Sequence, residues 1–123
     1  MQPVAKPKTG SFELWSWFLM RLSGILLVLL AIGHMYMVHV FTRIEVVDYA
    51  FVARRWATPV FRTWDILLLL LAMVHGINGV RVIIDDHLMA RPGWRLTVLS
   101  ALYSLGLILT LLGIVVLMTF EPA

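Results

Sequence analysis

The chain has 123 residues, of which 61% are hydrophobic and only 14% are charged, and its mean hydropathy is +0.92. No soluble core of this size can cover so much apolar surface, so the composition excludes a soluble globular domain and indicates a membrane protein. The absence of cysteine excludes disulfides, thiolate zinc sites and cysteine-ligated iron–sulfur clusters within this chain. The net charge of +3 is typical of lipid-facing basic residues, and we expect no nucleic-acid partner.

Three long apolar runs organise the chain, and we interpret residues 1–123 as a single membrane domain. Residues 1–13 are polar and are predicted to form a flexible N-terminal arm. The runs at 15–41, 64–84 and 96–120 are each long enough to cross a hydrocarbon layer of about 30 Å as a helix. The predicted fold is therefore all-α and integral to the membrane, with three transmembrane helices.

The loop between the first and second runs contains a predicted short helix. Its apolar face is formed at helical spacing by Tyr49, Val52, Ala53 and Trp56. This pattern is typical of a helix that lies in the membrane interface, and Pro59 is expected to end it. Residues 91–93 predict a short turn before the third run. All five tryptophans fall at predicted span ends or in the loop helix, as in an aromatic belt.

The basic residues give a small preference for one orientation. The N-terminal arm together with the second loop carries four of them, and the first loop carries an equal number. Arg21 and Arg81 lie near the same membrane edge as the N-terminus. We therefore expect a cytoplasmic N-terminus.

The second run contains the strongest candidate for a cofactor site. Ionisable groups at membrane depth are costly and are functional candidates by default. His75 lies near the middle of the run, and on an ideal helix Gly79 lies about 40° and Asp86 about 20° round from it. One face thus presents an imidazole, a position without a side chain and, about 16 Å further along, a carboxylate at the membrane edge.

A haem group fits this order of residues. Gly79 would let a flat macrocycle approach the helix backbone, and a neutral imidazole is a usual axial ligand of haem b. Arg81 lies towards the same edge, where it could pair with a propionate. In the alternative interpretation, His75 hydrogen-bonds across the bundle and the glycines allow close helix packing.

The first run contains two further histidines, five positions apart. On a helix they are about 140° apart, so they cannot serve one cofactor in the same way. His34 lies deeper in the membrane, and as a ligand it would serve a site nearer the far side of the membrane than Asp86. A polar contact within the helical bundle is an equally weighted alternative role for His34. His39 is close to the far interface, where histidine is typical of a wet, amphipathic edge.

Polar side chains also gather at the N-terminal edge of the membrane. In antiparallel spans, Ser16 and Arg21 of the first run emerge on the same side as Asp85, Asp86 and His87 of the second. A basic group, a carboxylate and a titratable imidazole at one edge could bind a quinone and deliver its protons. Snorkelling and helix capping are the alternative roles of these residues.

Three motifs resemble a known family. The chain has MRLSG at the start of the first run, GHM within it and HGINGVR…DD in the second. This combination is similar to the small membrane-anchor subunits of succinate dehydrogenase and to their fumarate reductase relatives. The most specific part is H-x3-G-x-R-x4-D, formed by His75, Gly79, Arg81 and Asp86; the third run adds little to the resemblance.

The resemblance implies a cofactor set and specific partners. Anchors of this family bind haem b and a quinone, pair with a second anchor in one helical bundle, and dock an iron–sulfur protein and a flavoprotein. By position, His75 matches the axial haem ligand, Arg81 the arginine that follows it, and Arg21 the arginine near the propionates and quinone. Members with two haems also use a histidine of the first span as a ligand, which His34 matches. One or two haems therefore remain possible.

The short arm and compact length look most like the smaller, D-type anchor, and two positions depart from the pattern. Many D-type anchors have Asp-Tyr where this chain has Asp86 and His87. The quinone-site serine of the larger anchor precedes its arginine by four positions, whereas Ser16 precedes Arg21 by five. The resemblance implies a bacterial or archaeal cytoplasmic membrane, or a mitochondrial inner membrane, and a chain that is not catalytic on its own.

Two other classes of membrane protein are the rivals. A b-type cytochrome of a hydrogenase or formate dehydrogenase usually has more spans and more histidine pairs, and lacks the edge formed by Arg81 and Asp86. A small transporter would show a lone carboxylate deep in a span, whereas Asp65 lies at the end of its run; a non-haem scaffold is the remaining alternative. The sequence favours the anchor.

Overall fold

A computed structural model of the protein describes residues 12–41 and 47–120. The α-helices in these ranges are α1 (Phe12–Tyr36), α2 (Tyr49–Ala57), α3 (Pro59–Leu88) and α4 (Pro92–Thr119). A turn of π-helix, Met37–Phe41, continues α1. Most of the predicted N-terminal arm, residues 1–11, lies outside the described residues, as do loop residues 42–46.

Three of these helices can cross a membrane by length and composition. The candidate spans are Leu14–Phe41, Pro59–Leu88 and Pro92–Thr119. At 1.5 Å per residue each is about 42–45 Å long, so its ends reach beyond a hydrocarbon layer of about 30 Å into the headgroup region. The predicted all-α fold with three transmembrane helices is confirmed, and so is the short loop helix, now α2.

Two prolines that the sequence pattern assigned to a helix end and a turn instead begin helices. The loop helix ends at Ala57, where the N–H of Thr58 donates to the Arg55 carbonyl, and Pro59 is the first residue of α3. Pro92 is likewise the first residue of α4. The first N–H groups of a helix have no acceptor within it, so a residue without an N–H costs nothing there. Both helices therefore start earlier than predicted.

The central helix is α3, which packs against α1 on one side and α4 on the other, with α2 folded against it. Trp64 of α3 lies on Gly33 of α1, where an added Cβ would be 2.6 Å from its ring, and its indole N–H donates to the Leu30 carbonyl. The buried apolar side chains in the described ranges are Ala53, Ile84 and Leu117, and the buried polar ones are Ser16, Ser23 and Arg81. Since lipid accepts the outward apolar surface, polar contacts define much of the interior.

Candidate functional site

His75 is held against α1 through one nitrogen of its ring. Nδ1 lies 3.1 Å from Ser23 Oγ, and a Cβ on Gly24 would lie 3.2 Å from His75 Cε1. Ser23 Oγ also donates to the Met20 carbonyl at 3.2 Å. A hydroxyl has a single proton, so a Ser23 hydroxyl that donates to Met20 accepts from the imidazole, whose proton is then on Nδ1. This tautomer leaves a lone pair on Nε2.

The face of α3 next to His75 is partly covered by α1. A Cβ on Gly79 would lie 3.4 Å from Met20 Cε, whereas a Cβ on Gly76 would meet nothing within 4 Å. Beside this face, between α1 and α3, is a groove of about 280 Å³, lined in part by Met20 and Asn78. The approach of a macrocycle to Gly79 stays a prediction, and the neighbour of Gly79 in this chain is the end of the flexible Met20 side chain.

Five polar residues form a network at the end where α1 begins and α3 ends. We call it the arginine cluster, and its members are Ser16, Asn78, Arg81, Asp85 and Arg95. The Arg81 guanidinium donates to Ser16 Oγ at 3.0 Å, to Asn78 Oδ1 at 3.0 Å and to Asp85 Oδ2 at 3.1 Å. Ser16 donates in turn to Asn78 at 2.7 Å, and Arg95 donates to Asp85 at 2.7 Å.

The cluster connects all three long helices and borders a cavity. Ser16 belongs to α1, Arg81 and Asp85 to α3, and Arg95 to α4. A cavity of about 380 Å³ lies on its outer side, lined by Arg81, Val82, Asp85, Asp86, Met89, Pro92 and Arg95. A charged, partly apolar cavity at a membrane edge can hold a polar headgroup with its apolar tail in the lipid.

The remaining residues predicted for this edge lie outside the cluster. Asp86 is exposed and lines the cavity, while the neighbouring Asp85 makes the ion pairs. His87 is exposed, and its Nδ1 lies 2.9 Å from the Ile83 carbonyl one turn back. Arg21 is exposed with its guanidinium 4.2 Å from the centre of the Trp17 ring. The structure therefore unites Ser16 with Arg81 and leaves Arg21 on the outer surface of α1.

A second polar network lies at the opposite end of the bundle. We call it the aspartate cluster, and its members are His34, Arg55, Trp56 and Asp65. Asp65 Oδ1 is 3.0 Å from His34 Nδ1 and accepts from Arg55 Nη2 at 3.0 Å, and Oδ2 accepts from the Trp56 indole N–H at 2.8 Å. An unprotonated Nδ1 would place a lone pair against the carboxylate oxygen, so the contact with Asp65 favours a proton on Nδ1. Arg55 Nη2, 3.5 Å from the same nitrogen, could donate only to an unprotonated Nδ1. In the neutral form that Asp65 favours, Nε2 carries the lone pair.

The two histidines are therefore alike in chemistry but distant in space. Within residues 12–41 and 47–120, Nε2 of neither imidazole has a hydrogen-bond partner. His75 lies beside Ser23 and Gly24, and His34 is ten to eleven positions further along α1, which corresponds to about 15–16 Å. One metal centre cannot reach both nitrogens. The arrangement can serve two separate centres, each with one imidazole from this chain.

Comparison with known proteins gives a family. A family model described as succinate dehydrogenase/fumarate reductase transmembrane subunit matches residues 4–119. The chain belongs to this family. A curated relative, the succinate dehydrogenase hydrophobic membrane anchor subunit of Archaeoglobus fulgidus, is 37% identical over 71 residues, which is 58% of this chain and 60% of the relative. The resemblance inferred from the motifs of the first two spans is confirmed at the level of the family.

The sequence analysis did not predict the contacts of four residues that organise this anchor: Asp65, Arg55, Asn78 and Asp85. A signal existed for the last two, because Asn78 and Asp85 lie three positions before and four positions after Arg81, on one helical face. Asp65 was set aside as an end residue, yet its side chain is only 10% exposed. Nothing in the local pattern indicates that it meets His34, because that contact joins two helices.

Proposed function

We propose that this chain is the D-type, haem b-binding membrane anchor of a succinate dehydrogenase. In this proposal it pairs with a second anchor, an iron–sulfur subunit and a flavoprotein subunit, and helps form the site at which quinone is reduced. Oxidation of succinate to fumarate releases two electrons and two protons, and reduction of a quinone to a quinol consumes the same number. The flavoprotein would carry the dicarboxylate site, so we expect no catalysis by the isolated anchor.

The observation that supports the haem proposal is the hydrogen bonding of the His75 imidazole. A neutral imidazole whose Nδ1–H is held by a hydrogen bond and whose Nε2 has no partner is the form that ligates haem iron. Gly24 and Gly79 remove side-chain bulk beside it. Haem, when bound, supplies one-electron redox chemistry that no side chain of this chain can provide. A second imidazole would come from the partner anchor, since one helix cannot reach both faces of a porphyrin.

His34 supports a second haem in the same way. Its Nδ1–H is held by Asp65, and its Nε2 is free of partners among the described residues. Because it lies about 16 Å from the level of His75, it would ligate a different iron, nearer the far side of the membrane. We therefore propose two haems, each with one axial ligand from this chain.

The cavity beside the arginine cluster is the proposed quinone-headgroup site. Asp86 lines it and is exposed, so it can pass protons from water to a reduced quinone. Arg81 and Ser16 would act there by holding α1, α3 and α4 in position, since both are buried in the cluster. Electrons must arrive from the iron–sulfur partner, so we place this end, and with it the N-terminus, on the cytoplasmic side.

The two proposed roles of the arginines differ accordingly. The Arg81 guanidinium is bound by side chains of its own chain, so it could bind a propionate only by giving up one of these contacts. Arg21 is exposed on the face away from Ser16 and Ser23, about 140–160° round α1 from them, where a second anchor or its haem could lie. Of the two, Arg21 has the more accessible guanidinium for a propionate or quinone.

A fumarate reductase anchor is the second candidate, because the matching family includes both enzymes. The same site would then run in the opposite direction, from quinol to fumarate. The rates of succinate-dependent quinone reduction and of quinol-dependent fumarate reduction by one purified complex distinguish the two.

The test of the haem proposal is a dithionite-reduced minus oxidised spectrum of the purified complex, with the haem-to-flavin ratio. We expect a b-type band and two haems per flavin, and one haem fewer in each of His75→Ala and His34→Ala. His39→Ala is the matched control, since His39 is exposed in the π-helical turn, and it should retain both haems. Absence of a b-type band, or full haem content in His75→Ala, contradicts the proposal. Stability alone does not decide, because both histidines also join α1 to α3.

A further inference from the structure

We propose that Asp65 is a positioning residue for His34: it fixes the proton on Nδ1, presents Nε2 to iron, and lowers the midpoint potential of that haem relative to the haem of His75. This inference rests on the proposed role of His34 as a ligand. Asp65 itself touches neither iron nor substrate in this proposal, and it acts through the imidazole.

The aspartate cluster holds the carboxylate in one orientation. Asp65 receives donors on both oxygens, from His34 and Arg55 on Oδ1 and from Trp56 on Oδ2. Its side chain is 10% exposed and that of Arg55 8%. Three donors from two elements, His34 of α1 and Arg55 and Trp56 of α2, leave the carboxylate of α3 little rotational freedom, so the imidazole ring that it binds is also fixed.

Without Asp65, the tautomer of His34 would not be specified. A neutral imidazole has its proton on either nitrogen, and only the form protonated at Nδ1 offers Nε2 as a ligand. The carboxylate selects that form because it can only accept. Such outer contacts of metal-bound histidines typically change metal affinity by about 10–100-fold when they are removed.

The two histidines have different partners, and this predicts different potentials. His34 donates to a carboxylate, whereas His75 donates to the neutral hydroxyl of Ser23. A charge-assisted hydrogen bond draws the Nδ1 proton away and increases electron density at Nε2. A more basic ligand stabilises ferric over ferrous iron, so the haem of His34 has the lower potential. Arg55 opposes this effect, because its positive charge lies 3.0 Å from the carboxylate oxygen that binds His34.

The experiment is a redox titration of the purified complex, with the low-spin ferric EPR signals recorded for each haem. Asp65→Asn should raise the potential of the His34 haem by about 60 mV or more, which corresponds to a tenfold change in ferric-over-ferrous preference. It should also change the EPR signal of that haem and leave the His75 haem unaltered. Arg55→Gln should shift the potential in the opposite direction, because the carboxylate then loses the positive charge that opposes it.

Trp56→Phe is the structural control. It removes a neutral donor from Oδ2 and leaves His34 and the charge of Arg55 on Oδ1, so it should weaken the cluster but shift the potential far less than Arg55→Gln does. If Asp65→Asn does not assemble, the comparison of Arg55→Gln with Trp56→Phe decides. An unaltered potential in Asp65→Asn overturns the inference, and so does a potential shift without any change in the EPR signal, which would indicate a charge acting only through space.

The failure of this inference is distinguishable from that of the proposed function. Full haem content in His34→Ala would show that His34 is not a ligand, whatever Asp65→Asn does. Loss of one haem in His34→Ala together with two unshifted potentials in Asp65→Asn would leave the ligand assignment intact and remove only the role of Asp65.

Discussion

Replacement of Arg81 by methionine tests whether burial gives the arginine cluster its strength. The chain offers a matched control in Arg95, because both arginines bind the same carboxylate. Arg81 reaches Asp85 at 3.1 Å and Arg95 reaches it at 2.7 Å, but their side chains are 8% and 45% exposed. Distance alone would make Arg95 the more important partner, whereas burial favours Arg81.

The magnitudes follow from the contacts. Removal of one member of a buried ion pair typically costs about 3–5 kcal/mol, because a charge and its hydrogen-bond partners lose their compensation. In Arg81→Met, Asp85 retains its hydrogen bond from Arg95, and Ser16 retains its hydrogen bond to Asn78. We therefore expect a loss of stability at the lower end of this range, about 3 kcal/mol. Arg95→Met breaks an exposed pair, and such pairs are typically worth about 0–1 kcal/mol. The expected difference is about 2 kcal/mol or more.

The assay is a titration of the purified complex in mild micelles with a denaturing detergent, with retention of this subunit as the signal. We expect a much lower midpoint for Arg81→Met than for Arg95→Met, and a midpoint for Arg95→Met close to that of the unaltered complex. Equal midpoints for the two variants would refute the reasoning, since the shared carboxylate would then matter and burial would not.

Two further predictions concern packing and the quinone site. Gly33→Ala should destabilise the complex by about 1–3 kcal/mol, because the new Cβ would lie 2.6 Å from the Trp64 ring. Gly76→Ala, whose Cβ would meet no atom within 4 Å, should be neutral or slightly stabilising in the same detergent titration. Equal effects of the two variants would contradict this prediction. Asp86→Asn should raise the apparent KM for quinone and His87→Gln should not, because Asp86 lines the cavity beside the arginine cluster and His87 does not. Steady-state rates of quinone reduction by the two variant complexes measure this difference. A raised KM in His87→Gln alone would place the headgroup elsewhere.

The class of protein and its three long helices could be predicted from sequence because they depend on local properties. Hydropathy over about 20 residues decides whether a segment enters the membrane, and no tertiary contact is required for that. The depth of His34 and His75 follows from counting along a helix. The helix starts were less predictable, because Pro59 and Pro92 are compatible both with a helix end and with the first helical position.

The candidate site was predictable only in part, because a contact between helices depends on their relative rotation. Neighbouring positions on a helix point about 100° apart, so the choice between Asp85 and Asp86 as the partner of Arg81 is a choice of face. The ideal-helix projection placed Asp86 close to the His75 face, but the approach of α4 brings Arg95 to Asp85. Arg21, grouped with this edge by depth, lies on another face of α1.

The sequence by itself therefore determined that this chain crosses the membrane three times and has histidines at two depths, since hydropathy and helical rise act within one segment. Only the tertiary structure decided that Asp65 meets His34, that Ser23 meets His75, and that Arg81 is enclosed by its own chain. The physical reason is that a buried polar group must find a partner, and in a bundle the partner comes from whichever helix packs against it.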